Sequence, residues 1–438
     1  MKKLISVVLI LCCVLSLCAC EAVEKMAEVE LPPVPMADAA EESPDAAGQP
    51  ETAVTETEHQ HIIINIDRTE YEAYDPQKGT ELILSFSYET PYVHIPANPG
   101  AEEAINEFIA LLNESYYTGD DYGTVYNSGL APGYFNMLTQ AEDNYNYIIN
   151  SAINFEGDIL GYELACHRTL SIERCDEAML SLLYRDYVNL GGVHGSYGDR
   201  AYCFDTKSGE LIGLEDICSD YESFCAFLKE SMINKVNTDA ELQQRINGFV
   251  DVEGLPTLEE AVTGLIRDGS WYLDNEGMVI FSDLYEMSSY AAGIIEFRFS
   301  YEELRDYIRA ELVPENIQLS AAFAAVPVAQ SSESSREIID MVKIHEQGEG
   351  LYLVADGIAK DVRLASVDYI DAFYETAQLW YCSSMENCAV QLVTLIPEGM
   401  PELKLSYRDS AGEHSLYLSQ SGEDGSIILV DDSIEAVG

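Results

Sequence analysis

The stretch Gly191–Leu214, GGVHGSYGDRAYCFDTKSGELIGL, decides the fold class. Gly191-Gly192-Val193-His194-Gly195 is a tight connection, because glycine supplies backbone angles that other residues avoid. Before it lies Met179–Val188, and after it Ala201–Phe204, both with the apolar and aromatic content of strands. Ala201–Phe204 runs into the turn Thr206-Lys207-Ser208-Gly209, and Glu210–Gly213 follows. Strands joined by connections this short pair antiparallel.

Outward from this hairpin the pattern alternates between helix and strand. Downstream, Phe224, Phe227, Leu228, Met232 and Val236 recur at helical spacing over Tyr221–Val236. A second helix starts at Thr257, which forms a capping box with Glu260. Trp271–Leu273 and Met278–Phe281 flank Asp274-Asn275-Glu276-Gly277, a hairpin signal, and Gly293–Phe299 is a further strand. Ser300 with Glu303 caps a final helix through Ile308. Upstream, His61–Ile66, Glu81–Tyr88 and Tyr162–Ile172 have strand composition. Between them Pro99-Gly100 opens a helix with one apolar face of Ile105, Phe108, Ile109 and Leu112. The expectation is an α+β fold over residues 61–317, a central antiparallel sheet with packed helices, divisible into 61–190 and 191–317. Residues 318–336 read as a linker, Ala-rich and then Gln330-Ser331-Ser332-Glu333-Ser334-Ser335. Residues 337–438 read as a small, mostly β domain, a sandwich or barrel, with runs such as Leu351–Val354, Val390–Ile396 and Leu403–Tyr407.

The N-terminus predicts export. Met1-Lys2-Lys3 is a basic head, Leu4–Leu17 an apolar run too short for a comfortable span, and Leu17-Cys18-Ala19-Cys20 a small-residue cut site before a cysteine. Residues 1–19 therefore read as a lipoprotein signal peptide, with lipid on Cys20 and the protein on the extracytoplasmic face of the cell membrane, held there by the lipid anchor alone. Residues 20–60 read as a disordered acidic tether rich in Pro, Ala, Glu and Thr, since such a composition cannot bury enough apolar surface to order itself.

Charge narrows the partners. Against 77 Asp and Glu stand 23 Lys and Arg, a net −54. Nucleic acid needs clustered basic residues and is excluded, as is attraction to anionic lipid headgroups. A cationic protein would be steered in, and more weakly as salt rises. Of the 11 cysteines, Cys166, Cys175, Cys203, Cys218, Cys225, Cys382 and Cys388 lie beyond the signal region, with no C-x-x-C spacing for zinc. Cys218/Cys225 and Cys382/Cys388 are close enough in sequence for local disulfides, and buried thiols are the equal alternative.

Two segments carry a resemblance. Gly191–Leu214 and Trp271–Tyr301, WYLDNEGMVIFSDLYEMSSYAAGIIEFRFSY, resemble the extracytoplasmic domain shared by RsiV-type lysozyme-sensing anti-sigma factors and PdaC-type peptidoglycan deacetylases. The shared elements are GG-x-H-G, the F-D-x-K-x-G turn and the Y-E…Y-A-x-G loop, and the likeness spans about 61–317. It implies a non-catalytic module that binds a protein such as lysozyme, with Tyr285, Glu286 and Tyr290 facing the partner. Where those proteins commonly place proline before each tyrosine, this chain has Leu284 and Ser289. The resemblance brings neither a sigma-binding segment nor the deacetylase H-x-x-x-H set.

Other chemistry is weakly supported. His194 with Ser196 lacks the G-x-S-x-G elbow and reads as part of the strand connection. Cys166 and His167, adjacent on a strand, point to opposite faces. His59-Gln60-His61 is a loose metal pair, and Asp120-Asp121 with Asn127, or Asp216 with Asp220, do not spell a calcium loop. No catalytic residue, metal or cofactor is nominated. The expected function is an extracellular binding or sensing module for a cationic, lysozyme-like protein or a cell-wall component such as peptidoglycan. The alternatives are a peptidoglycan-acting enzyme with unidentified acidic residues, or a structural envelope component.

Overall fold

The computed structural model describes residues 61–119, 133–150, 163–191, 194–314, 319–328, 336–345, 348–369, 373–395, 401–420 and 427–431. The signal, Cys20, the tether and the Asp120/Asp121/Asn127 cluster lie outside them. The fold is α+β, with a large, mostly antiparallel sheet and a β-rich C-terminal region. The hairpin expected around Gly191 is present: β4 (Leu180–Asn189) pairs antiparallel with β5 (Ser196–Phe204), from Leu180↔Phe204 to Val188↔Ser196.

Three strands extend the hairpin. β1 (Ile63–Tyr74) and β2 (Leu82–His94) pair antiparallel, and β3 (Leu164–Cys175) joins β2 in parallel and β4 antiparallel. A parallel step needs a crossover, supplied by α1 (Pro99–Thr118) and α2 (Tyr134–Asn150). Asn98 caps α1, Pro99 sits where its missing N–H costs nothing, and Ile105, Ile109, Leu112 and Tyr116 form its buried side. Beneath α1, Arg168 grips Asp186 with two bonds of 2.6 and 2.8 Å, its guanidinium 3.9 Å over the Tyr116 ring. Cys166 points to this same side, 3.1 Å from the Tyr116 hydroxyl, whereas His167 points to the other.

Among the described residues, the second face of the sheet is packed over at one end. There a lobe packs, made of α3 (Tyr221–Thr238), α4 (Ala240–Ile246), α5 (Leu258–Gly264), a three-stranded sheet of β6 (Trp271–Leu273), β7 (Gly277–Phe281) and β8 (Glu296–Ser300), and α6 (Tyr301–Leu304). Phe224, Leu228 and Met232 of α3 share a core with Ile280, Phe297 and Phe299 and with Ala201 and Cys203 of β5. Both expected capping boxes are made, Thr257 with Glu260 and Ser300 with Glu303. The last helix is shorter than expected, ending at Leu304, because the chain turns so that Ile308 bridges Cys218 and the Arg309 N–H reaches the Ile217 carbonyl.

The C-terminal region comprises β9 (Ala321–Pro327), β10 (Ile338–Lys343), β11 (Glu349–Tyr369), β12 (Phe373–Glu386), β13 (Ala389–Thr394), β14 (Leu403–Asp409), β15 (Gly412–Gln420) and β16 (Ile427–Asp431). β9 lies inside the stretch read as a linker, 318–336. Its alternating Ala and apolar residues pair along β11 from Leu351↔Pro327 to Gly357↔Ala321. Nor does the sheet respect the expected boundary at 337: β12 pairs with β1 through Ile63↔Cys382, Ile64↔Tyr381 and Asn65↔Trp380. In β11, Asp361 sits in the left-handed region at φ 51°, and its carboxylate accepts from the Tyr381 hydroxyl at 2.6 Å and from Asn275 of the lobe at 2.9 Å. Trp380 is fully buried and donates to Asp340 of β10 at 2.8 Å. The seven described cysteines are free thiols, five of them buried. Among the described residues, no helix is long and apolar enough to cross a membrane.

One turn gives the fold a specific acid sensitivity. Asp75, after β1, accepts backbone N–H bonds from Gln77, Lys78, Thr80 and Glu81. Burial pushes its carboxyl up, but the four donors outweigh burial and hold it well below the usual carboxylate range. A lowered folded-state value contributes stability above the unfolded value, and that stability is lost as pH falls. Thermal melts should therefore show Asp75→Asn less stable than wild type at pH 7. The gap should narrow as pH drops below about 4, where the unfolded carboxyl takes up its proton.

Candidate functional site

The loop between β7 and β8 carries the three residues expected to face a partner. Tyr285 adopts φ 67°, a left-handed backbone that costs a non-glycine residue roughly 1 kcal/mol or more and so needs support from its surroundings. Glu286 supplies that support. It takes two bonds from Arg267, at 2.6 and 3.0 Å, and one from the Asp283 N–H at 2.7 Å. Its carboxylate is therefore spent inside the loop, and it positions Tyr285 rather than reaching outward.

The rest of the loop is held without proline. Leu284 is buried, and Ser288 donates to the Gly293 carbonyl. Arg245 of α4 grips the carbonyls of Ala292 and Ile294 at 2.9 and 2.8 Å. A side chain at Gly293, where φ is 71°, would press within 3.1 Å of the Tyr197 hydroxyl, so the loop backbone lies close against β5.

Two distant stretches of sequence meet here. The His194 ring stacks on Tyr290 at 3.8 Å and 25°, Tyr197 meets Tyr290 edge-on at 6.0 Å, and Tyr285 lies 6.3 Å from Tyr290. His194 is exposed and Tyr285 is 41% exposed. The β4–β5 connection thus does more than turn the chain. Gly195 lies so close over the Tyr187 ring that a Cβ would run into it, and this places His194 against the loop. By its local sequence His194 is a turn residue only. The available signal was that both resembling segments carry aromatic residues, but the pairing itself is long-range.

The other expected chemistry disperses. His61 bonds the Ser384 carbonyl at 2.5 Å. Asp216 accepts from the Gly213 N–H, and Asp220 caps α3 through Ser223. Ser87 and His167 stand 2.8 Å apart, a pairing the sequence did not suggest. Ser87 is buried, and burial followed by the nearby Arg68 charge lowers the His167 pKa, leaving the ring neutral at pH 7. Among the described residues, no group of three or more His, Cys, Asp or Glu is placed to hold a metal ion.

If Glu286 and Arg267 order the loop, Arg267→Ala should speed hydrogen exchange at the Asp283 and Glu286 amides by about fivefold or more. Exchange in β6 and β7 should stay unchanged, which amide exchange followed by mass spectrometry would read.

Set against known proteins, residues 227–302 match the model of a family described as "Protein of unknown function (DUF3298)", a span that includes the loop. A solved DUF3298 structure from Bacteroides fragilis is 14% identical, covers 57% of this chain and 94% of its own, and superposes with a TM-score of 0.39. Another from Pseudomonas aeruginosa is 14% identical, covers 57% and 97%, and has a TM-score of 0.35. No curated protein matches. This chain is thus similar, over its lobe, to a family whose role is undescribed.

Proposed function

We propose that the protein is a cell-envelope lipoprotein, exported by residues 1–19 and anchored through Cys20, whose central region binds or senses a cationic extracellular protein. A lysozyme-like muramidase is the most concrete partner. The observation that carries this reading is the loop of Tyr285 and Tyr290, held in a strained conformation by Glu286 and Arg267 and stacked on His194. Strain retained at a surface loop is a mark of function, and an exposed Tyr285 beside a half-buried Tyr290, each with two side-chain torsions, offers contact area at small entropic cost. The net charge of −54 supplies long-range attraction for a basic partner, and the resemblance to lysozyme-sensing domains points to the same loop.

Two measurements test the two halves. Cells fed a labelled fatty acid should yield labelled protein in the membrane fraction, and Cys20→Ala should be unlabelled; an unlabelled wild type in the cytosol would refute the envelope role. Immobilised protein should retain hen egg-white lysozyme at low salt and release it progressively as salt rises. Tyr285→Ala/Tyr290→Ala should weaken retention by about tenfold or more, the scale of an aromatic anchor; unchanged retention would remove the loop from the interface.

A further inference from the structure

We infer that the partner surface continues from the Tyr285–Tyr290 loop across the face of the sheet opposite α1, and that its occupant is a folded basic protein rather than a glycan strand. The inference rests on the reading that the loop binds a partner.

The register makes the surface continuous. Glu70 of β1 pairs with Ser87 of β2, Ser87 with His167 of β3, His167 with Tyr187 of β4, and Tyr187 with Tyr197 of β5. Directly paired residues share one face, so these five form a single row on the side away from α1. At strand spacing the row is about 19 Å long. The lobe's core packs on this face further along the strands, at Ala201 and Cys203. The row ends on Tyr197, whose ring meets Tyr290 of the loop at 6.0 Å.

Ring orientation separates the two ligand classes. A sugar stacks on a free aromatic face. Here the His167 and Tyr187 rings lie parallel with their centroids 6.2 Å apart, both are half-buried, and Gly195 crowds the Tyr187 ring. One face of Tyr290 is taken by His194. Half-buried rings with polar tips suit the side chains and backbone of a protein surface.

Charge indicates the partner's sign. At the β1 end Glu70 and Glu72 are exposed, with Arg68 bonded to Glu70 at 2.6 Å and the Tyr74 hydroxyl to Glu72 at 2.6 Å. At the β5 end Arg185 is neutralised by Asp199 at 2.6 Å. His167 is held neutral by burial and by Arg68. Three carboxylates thus face two guanidiniums, and the balance of the row matches the sign of the whole chain. Basic side chains of a partner anchored at Tyr290 would reach Glu70 and Glu72 without crossing an unpaired cation.

The test uses the full chain with hen egg-white lysozyme as probe and equally basic cytochrome c as control. His167→Ala should weaken lysozyme binding by about fivefold at a temperature well below the variant's own melting point. Glu70→Gln/Glu72→Gln should flatten the salt dependence. In the wild type, zero-length carbodiimide coupling should join Glu70 or Glu72 to a lysine of lysozyme and not of cytochrome c. If Tyr290→Ala weakens binding while the row variants change neither affinity nor salt dependence and no cross-link forms, the extension is overturned and the loop reading stands. If soluble peptidoglycan fragments, and not lysozyme, shift the His167 ring resonances, the occupant is a glycan and the inference fails. If wild type does not retain lysozyme at all, the proposed function falls and the extension with it.

Discussion

A single guanidinium sealed from water fixes where the lobe sits. Arg174 lies near the end of β3, and the register with β4 shifts between Ile172 and Arg174, which turns its side chain from the α1 side to the lobe side. There it bonds Asp176 at 2.7 Å, the Tyr301 hydroxyl at 2.7 Å and the Leu312 carbonyl at 2.6 Å. A buried charge without partners costs several kcal/mol, roughly 3–5 when one partner of a pair is removed. The lobe must therefore close over this end of the sheet, where Tyr301 and Leu312 can reach it. Tyr301 passes the constraint on by donating to the Asp274 carbonyl in the β6–β7 turn.

The lobe is too small to cover the whole face once docked there. Its core does not reach His167, Tyr187 and Tyr197, which are half-buried, and its own β7–β8 loop comes up beside Tyr197. The candidate site is thus a product of packing geometry. The loop is ordered by ion pairs and carbonyl contacts, and the strands beside it bring up rings from the other edge. Glu286 illustrates how the parts divide: a charged residue beside two tyrosines, it spends its carboxylate on Arg267 and leaves the tyrosines as the outward groups.

Features set by neighbours in sequence were legible, and features set by distant pairing were not. The capping boxes at Thr257 and Ser300, the Asp274–Gly277 turn and the apolar side of α1 each need only a few residues, and all are present. α2 escaped notice because its buried positions, Met137, Ala141 and Tyr145, are spaced by four among Asn and Tyr residues that carry no strong periodicity. β9 escaped because small Ala residues resemble a linker until β11 is laid beside them. Long-range facts, such as His194 on Tyr290 or β1 beside β12, have no local signature. The bulge at Asp361 is equally silent, since its left-handed backbone is held by Tyr381 and Asn275 from elsewhere in the chain.

The neighbouring of β1 and β12 bears on how the chain acquires its shape. The Ile62 N–H bonds the Ser383 hydroxyl across 321 positions, and the central sheet is a path rather than a set of separable pieces. A nascent chain that has made β1 to β5 still shows the outer edge of β1 to solvent, with Ile63 unsheltered, until β12 emerges. Contacts this far apart fold slowly and leave an adhesive strand exposed meanwhile. Truncation before Trp380 would leave that edge permanently bare, so the C-terminal strands serve as the closing seam of the whole sheet.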